Sequence, residues 1–262
     1  MINDSPYYHP RLIVAQATLY PEMISVFVPK SPILKHSGKN PHRKKAKTPV
    51  VDSAETSEER SIRRTRKAIS DYVLCNSFNM FATFTFAKNR TDVDEKRRQL
   101  SNWLKNQQKR NQKFQYIAVP EFHKDGKNLH FHALLANYSG RIAPAANPKT
   151  GRQILQHGSK VFTLPEFHLG FTNLKMLNGS DNARSKVAHY ITKYITKDMP
   201  ILRGKKRYFC SKGLKTPKVI NNPGDWYETI SPSWSVETNN GTIMRFNAGT
   251  HPVIDRLLRC NQ

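Results

Sequence analysis

Acidic residues are scarce in this chain. Nineteen Asp and Glu stand against 43 Lys and Arg in 262 residues, a formal net charge of +24. A surface so short of negative charge points to a polyanion as partner, either nucleic acid or an anionic membrane. Long apolar runs are also missing. No stretch of about 18 apolar residues occurs, which excludes a membrane-spanning helix. The opening segment, residues 1–14, has no basic cluster leading into an apolar stretch, so no secretory signal is expected. Cysteine is rare: Cys75, Cys210 and Cys260 are odd in number and far apart. That excludes a disulfide scaffold and a Cys-rich zinc site, and it fits a reducing cytosol. No internal repeat and no low-complexity segment is found. The length suits one good-sized domain, or one domain with extensions. The expectation is a soluble, cytoplasmic protein that faces nucleic acid and not a membrane.

The basic residues come in blocks. Lys30 to Lys47 holds seven of them and no acid, in a stretch that includes Pro32, Gly38 and Pro41. It reads either as a solvated tail or as a DNA-contacting arm. Ile201 to Lys218 again holds seven and no acid. Near the start, the runs 12–19 and 23–28 suggest a small hairpin or peripheral strands. A helix is expected over 53–75, opening on Ser and Glu and continuing through Arg60, Arg63, Arg64, Arg66 and Lys67. Residues 81–86, Phe-Ala-Thr-Phe-Thr-Phe, alternate with period two and are aromatic or β-branched, which predicts a strand. A helix over 92–111 follows, with Asp92 as cap, Glu95 three residues on, and Val93, Leu100, Trp103 and Leu104 facing inward. Residues 115–119 form the next strand, ended by Pro120. A polar hairpin loop, 123–128, leads into a third strand, 129–135. Residues 138–158 read as loop, 170–177 as a fourth strand, and 182–197 as a helix stopping before Pro200. The run 241–246 suggests a further strand. This order of elements fits an α+β sandwich, an antiparallel sheet with helices packed on it.

Two groups of side chains can do chemistry. His130 and His132 are two apart on a strand and so project from one face, while Phe131, Ala133 and Leu135 turn to the core on the other. Two imidazoles so placed can bind one metal ion. A lone His-x-His pair is commonly incidental, but Glu121 ends the preceding strand, and a hairpin returns its carboxylate to His130. Two imidazoles and one carboxylate leave coordination positions open, as a catalytic metal site requires. The second group is Tyr190, Lys193, Tyr194 and Lys197, at i, i+3, i+4 and i+7 on one helix face. Val187, Ala188, Ile191 and Ile195 form a neighbouring stripe that can anchor the helix. Either the tyrosines border the core and the lysines are solvated, or the face presents a nucleophile. A tyrosine of pKa about 10 is phenolate in roughly one molecule in a thousand at neutral pH. A cation at i+3 raises that fraction. A phenolate can attack a phosphodiester, keeping the bond energy in a phosphotyrosine ester and freeing a 3′-OH.

Together these blocks resemble the replication initiators (Rep proteins) of rolling-circle plasmids and small single-stranded DNA phages, within the His-hydrophobe-His (HUH) endonuclease superfamily. Residues 81–86 are similar to the first family motif. Residues 120–132, with Glu121, His130 and His132, are similar to the second. Residues 190–197, Tyr-Ile-Thr-Lys-Tyr-Ile-Thr-Lys, are similar to the third in its two-tyrosine form. The basic block 206–215 and the stretch 63–81 resemble flanking segments of phage- and plasmid-type members. The resemblance covers about residues 60–218. It implies an RRM- or ferredoxin-like palm with a central antiparallel sheet. That endonuclease domain, 60–218, would lie between an N-terminal extension, 1–59, that carries the basic arm and a C-terminal extension, 219–262. It also implies a divalent metal, Mg²⁺ or Mn²⁺, on Glu121, His130 and His132, and Tyr190 and Tyr194 as nucleophiles assisted by Lys193 and Lys197. His123 falls on no ligand position and reads as a loop residue. The implied activity is nicking and rejoining of single-stranded DNA at a replication origin. A relaxase or transposase of the same superfamily and a non-catalytic nucleic-acid-binding module are the alternatives. No P-loop, G-x-x-x-x-G-K-[ST], occurs, so unwinding falls to a host helicase and extension of the 3′ end to a host polymerase. The arm at 30–47, the 60–67 segment and the 203–218 block would follow phosphates. Tyr208, Phe209, Trp226 and Trp234 either stack unpaired bases or pack a small C-terminal core.

Overall fold

A computed structural model describes residues 12–34, 56–88, 90–147, 149–156, 158–177, 181–200 and 206–260. Most of the basic arm, from residue 35 on, and residues 203–205 lie outside these. The chain opens with β1 (Leu12–Ile13), β2 (Gln16–Leu19), β3 (Met23–Pro29) and β4 (Ile33–Leu34). Next come α1 (Ser57–Cys75), β5 (Met80–Phe86), α2 (Val93–Arg110), β6 (Gln115–Phe122) and β7 (Leu129–Ala136). Four two-residue strands follow: β8 (Ala143–Pro144), β9 (Leu155–Gln156), β10 (Ser159–Lys160) and β11 (Phe162–Thr163). Then come β12 (Gly170–Met176), α3 (Asp181–Thr192) and β13 (Phe209–Cys210). The C-terminal part holds β14 (Lys218–Asn221), α4 (Trp226–Thr229), β15 (Trp234–Thr238), β16 (Gly241–Asn247) and α5 (Pro252–Arg259). No helix among the described residues is long and apolar enough to cross a membrane.

The chain forms two units, residues 55–215 and a unit made of both ends. In the terminal unit an antiparallel sheet runs in the order β14-β2-β3-β16-β15. Ala17, Leu19, Ile24, Val26 and Phe246 pack with Ile254 and Leu258 of α5. The two stretches set out above as separate extensions therefore share one sheet, β16 pairing along the whole of β3.

The central unit has the expected α+β class. Its seven-stranded sheet, β13-β6-β7-β5-β12-β11-β8, is antiparallel throughout. Strand alternation gives the sheet two apolar faces. Ala82, Phe84, Phe131, Ala133 and Leu135 meet Leu100 and Leu104 of α2 on one. Phe81, Ile117, Val119 and Leu134 meet Ile62, Ile69 and Val73 of α1 and Ala188 and Ile191 of α3 on the other. Each such fully buried side chain stabilises the fold by about 1.5–3 kcal/mol relative to exposure. The second face, beyond the apolar residues, is the one that carries the histidines.

Three boundaries differ from expectation. Strand β6 does not end at Pro120 but runs on through Glu121 and Phe122, in register with His130 and Leu129. Tyr116 turns its backbone groups towards Ser211, and alternation puts Pro120 on that same side, beyond the two residues of β13. The missing N–H thus faces no partner strand. Helix α3 ends at Thr192, not 197. The Thr192 hydroxyl donates back to the carbonyls of Ala188 (2.8 Å) and His189 (3.0 Å). Arg66 takes the Ile195 carbonyl at 2.8 Å and Arg207 that of Thr196 at 3.1 Å. Back-bonding hydroxyls and β-branched Ile and Thr disfavour continuation of the helix, and the two arginines hold the chain in its new course. Lastly, the stretch expected as loop, 138–158, includes β8 and β9.

Candidate active site

The β6–β7 hairpin is closed by its own loop. The Asp125 carboxylate accepts from the backbone N–H of Lys127 and of Asn128, 2.9 Å each, and from the Asn128 amide. Gly126 takes φ +68°, a conformation that suits glycine. His123 N–H donates to the Asn128 carbonyl at 2.6 Å. This closure sets Glu121 directly opposite His130, where Cβ atoms stand about 4.5–5.5 Å apart. The Glu121 carboxylate lies 2.5 Å from His132 Nε2. On the neighbouring strand β5, Thr83 Oγ1 is 3.1 Å from His132 Nδ1 and Thr85 Oγ1 is 2.9 Å from His130 Nδ1. Each imidazole is thus gripped at Nδ1 by a threonine hydroxyl, which fixes the ring and presents Nε2. His123 stays a loop residue, yet its ring centroid is 4.9 Å from that of His130. Burial, then the charges of His123 and His132, lowers the His130 pKa below the usual histidine value.

The chemistry of this donor set fits a divalent ion: two neutral imidazoles and a carboxylate on one face at one end of the sheet. The arrangement is closed up rather than preformed. Among the described residues no three His, Cys, Asp or Glu side chains converge as a metal cluster. Two ligands at right angles on a small divalent ion stand about 3.0 Å apart, from metal–ligand bonds of about 2.1 Å. The Glu121–His132 contact is shorter and has to open slightly for an ion to enter.

The end of α3 comes to the same place. The Tyr194 ring stacks on His132, with centroids 3.8 Å apart and planes at 15°. Tyr190 packs edge-on against Tyr194 (5.6 Å) and Phe81 (5.0 Å), and Phe81 in turn lies 5.6 Å from His132. Lys193 Nζ sits 4.0 Å from the Tyr190 ring centroid and 4.9 Å from that of Tyr194, close enough for cation–π attraction. The two tyrosines differ in access: Tyr194 is 8% exposed and Tyr190 43%. Burial, followed by the hydrogen bond with Tyr190 and the charge of Glu121, pushes the Tyr194 phenol well above the usual value.

Lys197 does not reach this cluster. Past the helix end its Nζ turns to α1 and bonds Glu59 Oε1 at 3.0 Å. Glu59 also closes the capping box of α1: its Oε2 accepts from Thr56 N–H at 2.9 Å, and Thr56 Oγ1 accepts from Glu59 N–H at 3.1 Å. The Thr56 N–H first, and Lys197 second, hold the Glu59 carboxyl at about 2. Glu58 pairs with Arg207 at 3.0 Å. Of the four aromatics considered for base stacking, Tyr208 is buried against Tyr72, Phe209 packs with Tyr116 and Phe131, and Trp226 packs on Phe246. Trp234 alone of the four is exposed, with the Arg245 guanidinium 4.6 Å from its ring centroid.

The site borders a cleft of about 1160 Å³ lined by Phe81, His130, His132, Tyr190 and lysines at 160, 175, 186 and 193. Thr83, Thr85 and the position of His123 went unread in the sequence. The threonines lie on the strand face of period two predicted for 81–86, but only the register with β7 shows that they meet the histidines.

No curated protein and no solved structure matches the chain. The segment that carries β5, both histidines, Glu121 and both tyrosines does match a known family: residues 79–199 are similar to the family described as Replication-associated protein ORF2, which supports a replication-initiator role.

Proposed function

We propose that this protein initiates replication by nicking and rejoining single-stranded DNA at an origin through a tyrosine–DNA ester. The observation that carries the reading is the meeting of α3 with the paired histidines: Tyr194 stacked on His132, Tyr190 and Lys193 beside it. These groups are some 60 residues apart in the chain, and a purely structural helix end has no need of two tyrosines and a lysine against a Glu/His/His set.

Tyr190 is the first nucleophile, since its ring opens to the cleft while Tyr194 is buried. Its phenolate oxygen attacks the scissile phosphorus. The bond from phosphorus to the 3′ oxygen breaks, the 3′ oxygen takes up a proton, and a 5′-phosphotyrosine ester remains. The Lys193 ammonium stabilises the phenolate and the gathering phosphate charge. Glu121, His130 and His132 would hold a divalent ion, Mg²⁺ or Mn²⁺, which when bound draws charge from the phosphate oxygens. Thr83 and Thr85 keep each imidazole proton on Nδ1, leaving Nε2 free. A later attack by a 3′-OH on the ester reverses the chemistry and joins strands without ATP. Tyr194, freed from its stack, provides a second nucleophile while the first ester is held. A host helicase unwinds, and a host polymerase extends the free 3′ end.

The test is covalent trapping. Labelled single-stranded fragments of the protein's own replicon are incubated with the full chain, with Mn²⁺ or with EDTA, and resolved on denaturing gels. A metal-dependent protein–DNA adduct is expected. Cleavage with no adduct would replace this mechanism by a hydrolytic one, and binding with no cleavage on any fragment would leave a binding module.

A further inference from the structure

Strand β12 exposes a ring that the fold does not use. Thr172 and Leu174 turn inward and anchor the strand, whereas Phe171, Asn173 and Lys175 turn to the face that carries the histidines. Phe171 is 69% exposed. Its cross-strand partner is Thr85, whose hydroxyl holds His130. The ring therefore stands two strands from His130, about 10 Å by strand spacing. Gly170 brings β12 this close: a Cβ there would run into the backbone of Thr85 and Phe86. Asn173 and Lys175 line the cleft that begins at the histidines, with Lys160, Lys186 and Lys193 around it and no carboxylate among the described lining residues. At about 1160 Å³ it exceeds the roughly 300–1,000 Å³ of small-molecule sites. A lysine-lined groove of that size beside an exposed ring suits a stretch of single-stranded nucleic acid, whose phosphates follow the charge while a base stacks on the ring.

We propose that Phe171 is the platform on which an unpaired base next to the scissile phosphate stacks, with Lys160, Lys175 and Lys186 carrying the adjoining phosphates of the DNA strand. This rests on the nicking reaction proposed above. It assigns the ring a positioning role, with no part in bond making.

The test measures binding of labelled single-stranded fragments to the full chain in EDTA, where no cleavage occurs. Phe171→Ala and Phe171→Leu are expected to weaken binding about five- to hundredfold, and Phe171→Trp to retain it. 2-Aminopurine beside the nick site is expected to be quenched by the wild type and not by Phe171→Ala. The exposed ring contributes little to folding, so thermal midpoints should be unchanged. If Phe171→Ala binds as the wild type does while the wild type still forms its metal-dependent adduct, the platform is wrong and the nicking reaction stands. If Phe171→Ala loses affinity but the wild type forms no adduct on any fragment, the platform holds and the nicking reaction fails. Equal losses on duplex DNA, or tighter binding of RNA of the same sequence, would overturn the assignment to unpaired DNA.

Discussion

The Tyr194 phenol ring lies nearly parallel to the His132 imidazole, 3.8 Å away centre to centre. A ring in that position cannot also swing its hydroxyl into the cleft; the stack has to open first. Tyr190, one turn earlier, faces the cleft already, with Lys193 over its ring. The two nucleophile candidates are therefore unequal before any substrate binds. Tyr190→Phe is expected to lower the first adduct on the order of 10³-fold, as loss of an essential nucleophile does. Tyr194→Phe keeps the stack and should leave first-adduct formation within about threefold while abolishing the second cleavage. Adduct yields on a fragment with one nick site and on one with two separate these outcomes. The reverse ranking would refute the order.

The lysines divide in the same way. Lys193 touches both tyrosine rings, and Lys197 is bonded to Glu59 on α1. Lys193→Ala should slow nicking about 10- to 100-fold, within the range for a positioned charge or acid. Lys197→Ala should leave the nicking rate unchanged and lower the thermal midpoint slightly, as should Glu59→Gln. Single-turnover rates beside melting curves distinguish the two lysines, and a rate loss in Lys197→Ala of the size seen for Lys193→Ala would count against the division.

These differences mark how far the residues spoke for themselves. Alternation placed His130 and His132 on one face and Phe131, Ala133 and Leu135 on the other, and the structure agrees, because a strand's period is fixed by the backbone. Asp92 caps α2 by accepting from Glu95 N–H at 2.9 Å, as its spacing implied. The end of α3 was not legible. Helical spacing was extended through Lys197, but Thr192 back-bonding and the long-range grip of Arg66 and Arg207 stop it at 192. Pairing was equally hidden. That Thr85 meets His130, or that β16 joins β3, depends on register between segments far apart in the chain, and a linear pattern carries no register.

Thr83 and Thr85 offer a test of the metal set that does not rely on cleavage. Each hydroxyl holds one imidazole by Nδ1. Replacing such partners of ligating histidines typically costs 10- to 100-fold in metal affinity. Thr83→Val and Thr85→Val preserve shape and remove the hydrogen bond, so each should weaken Mn²⁺ binding by that factor, measured by titration calorimetry. Glu121→Gln should weaken it at least as much, and EDTA should abolish adduct formation. Wild-type affinity in both threonine variants, with Glu121→Gln impaired, would show that the hydroxyls do not orient the ligands.

The capping glutamate yields a prediction in pH. Glu59 is held at about 2 against an ordinary 4.5, first by the Thr56 N–H and then by Lys197. A carboxyl depressed on folding contributes stability that is fully present above its unfolded pKa and is lost as pH falls through the folded value. The gap in thermal midpoint between the wild type and Glu59→Gln should therefore be constant from pH 7 to about 4.5 and close towards pH 2. High salt should trim the part due to exposed Lys197 and spare the hydrogen bond within the capping box. Because Lys197 belongs to the chain just past Tyr194, closing of the gap should bring faster hydrogen exchange in residues 193–199 than in β7. A gap that stays level down to pH 2, or exchange that quickens equally in both segments, would show that Glu59 does not tether this segment.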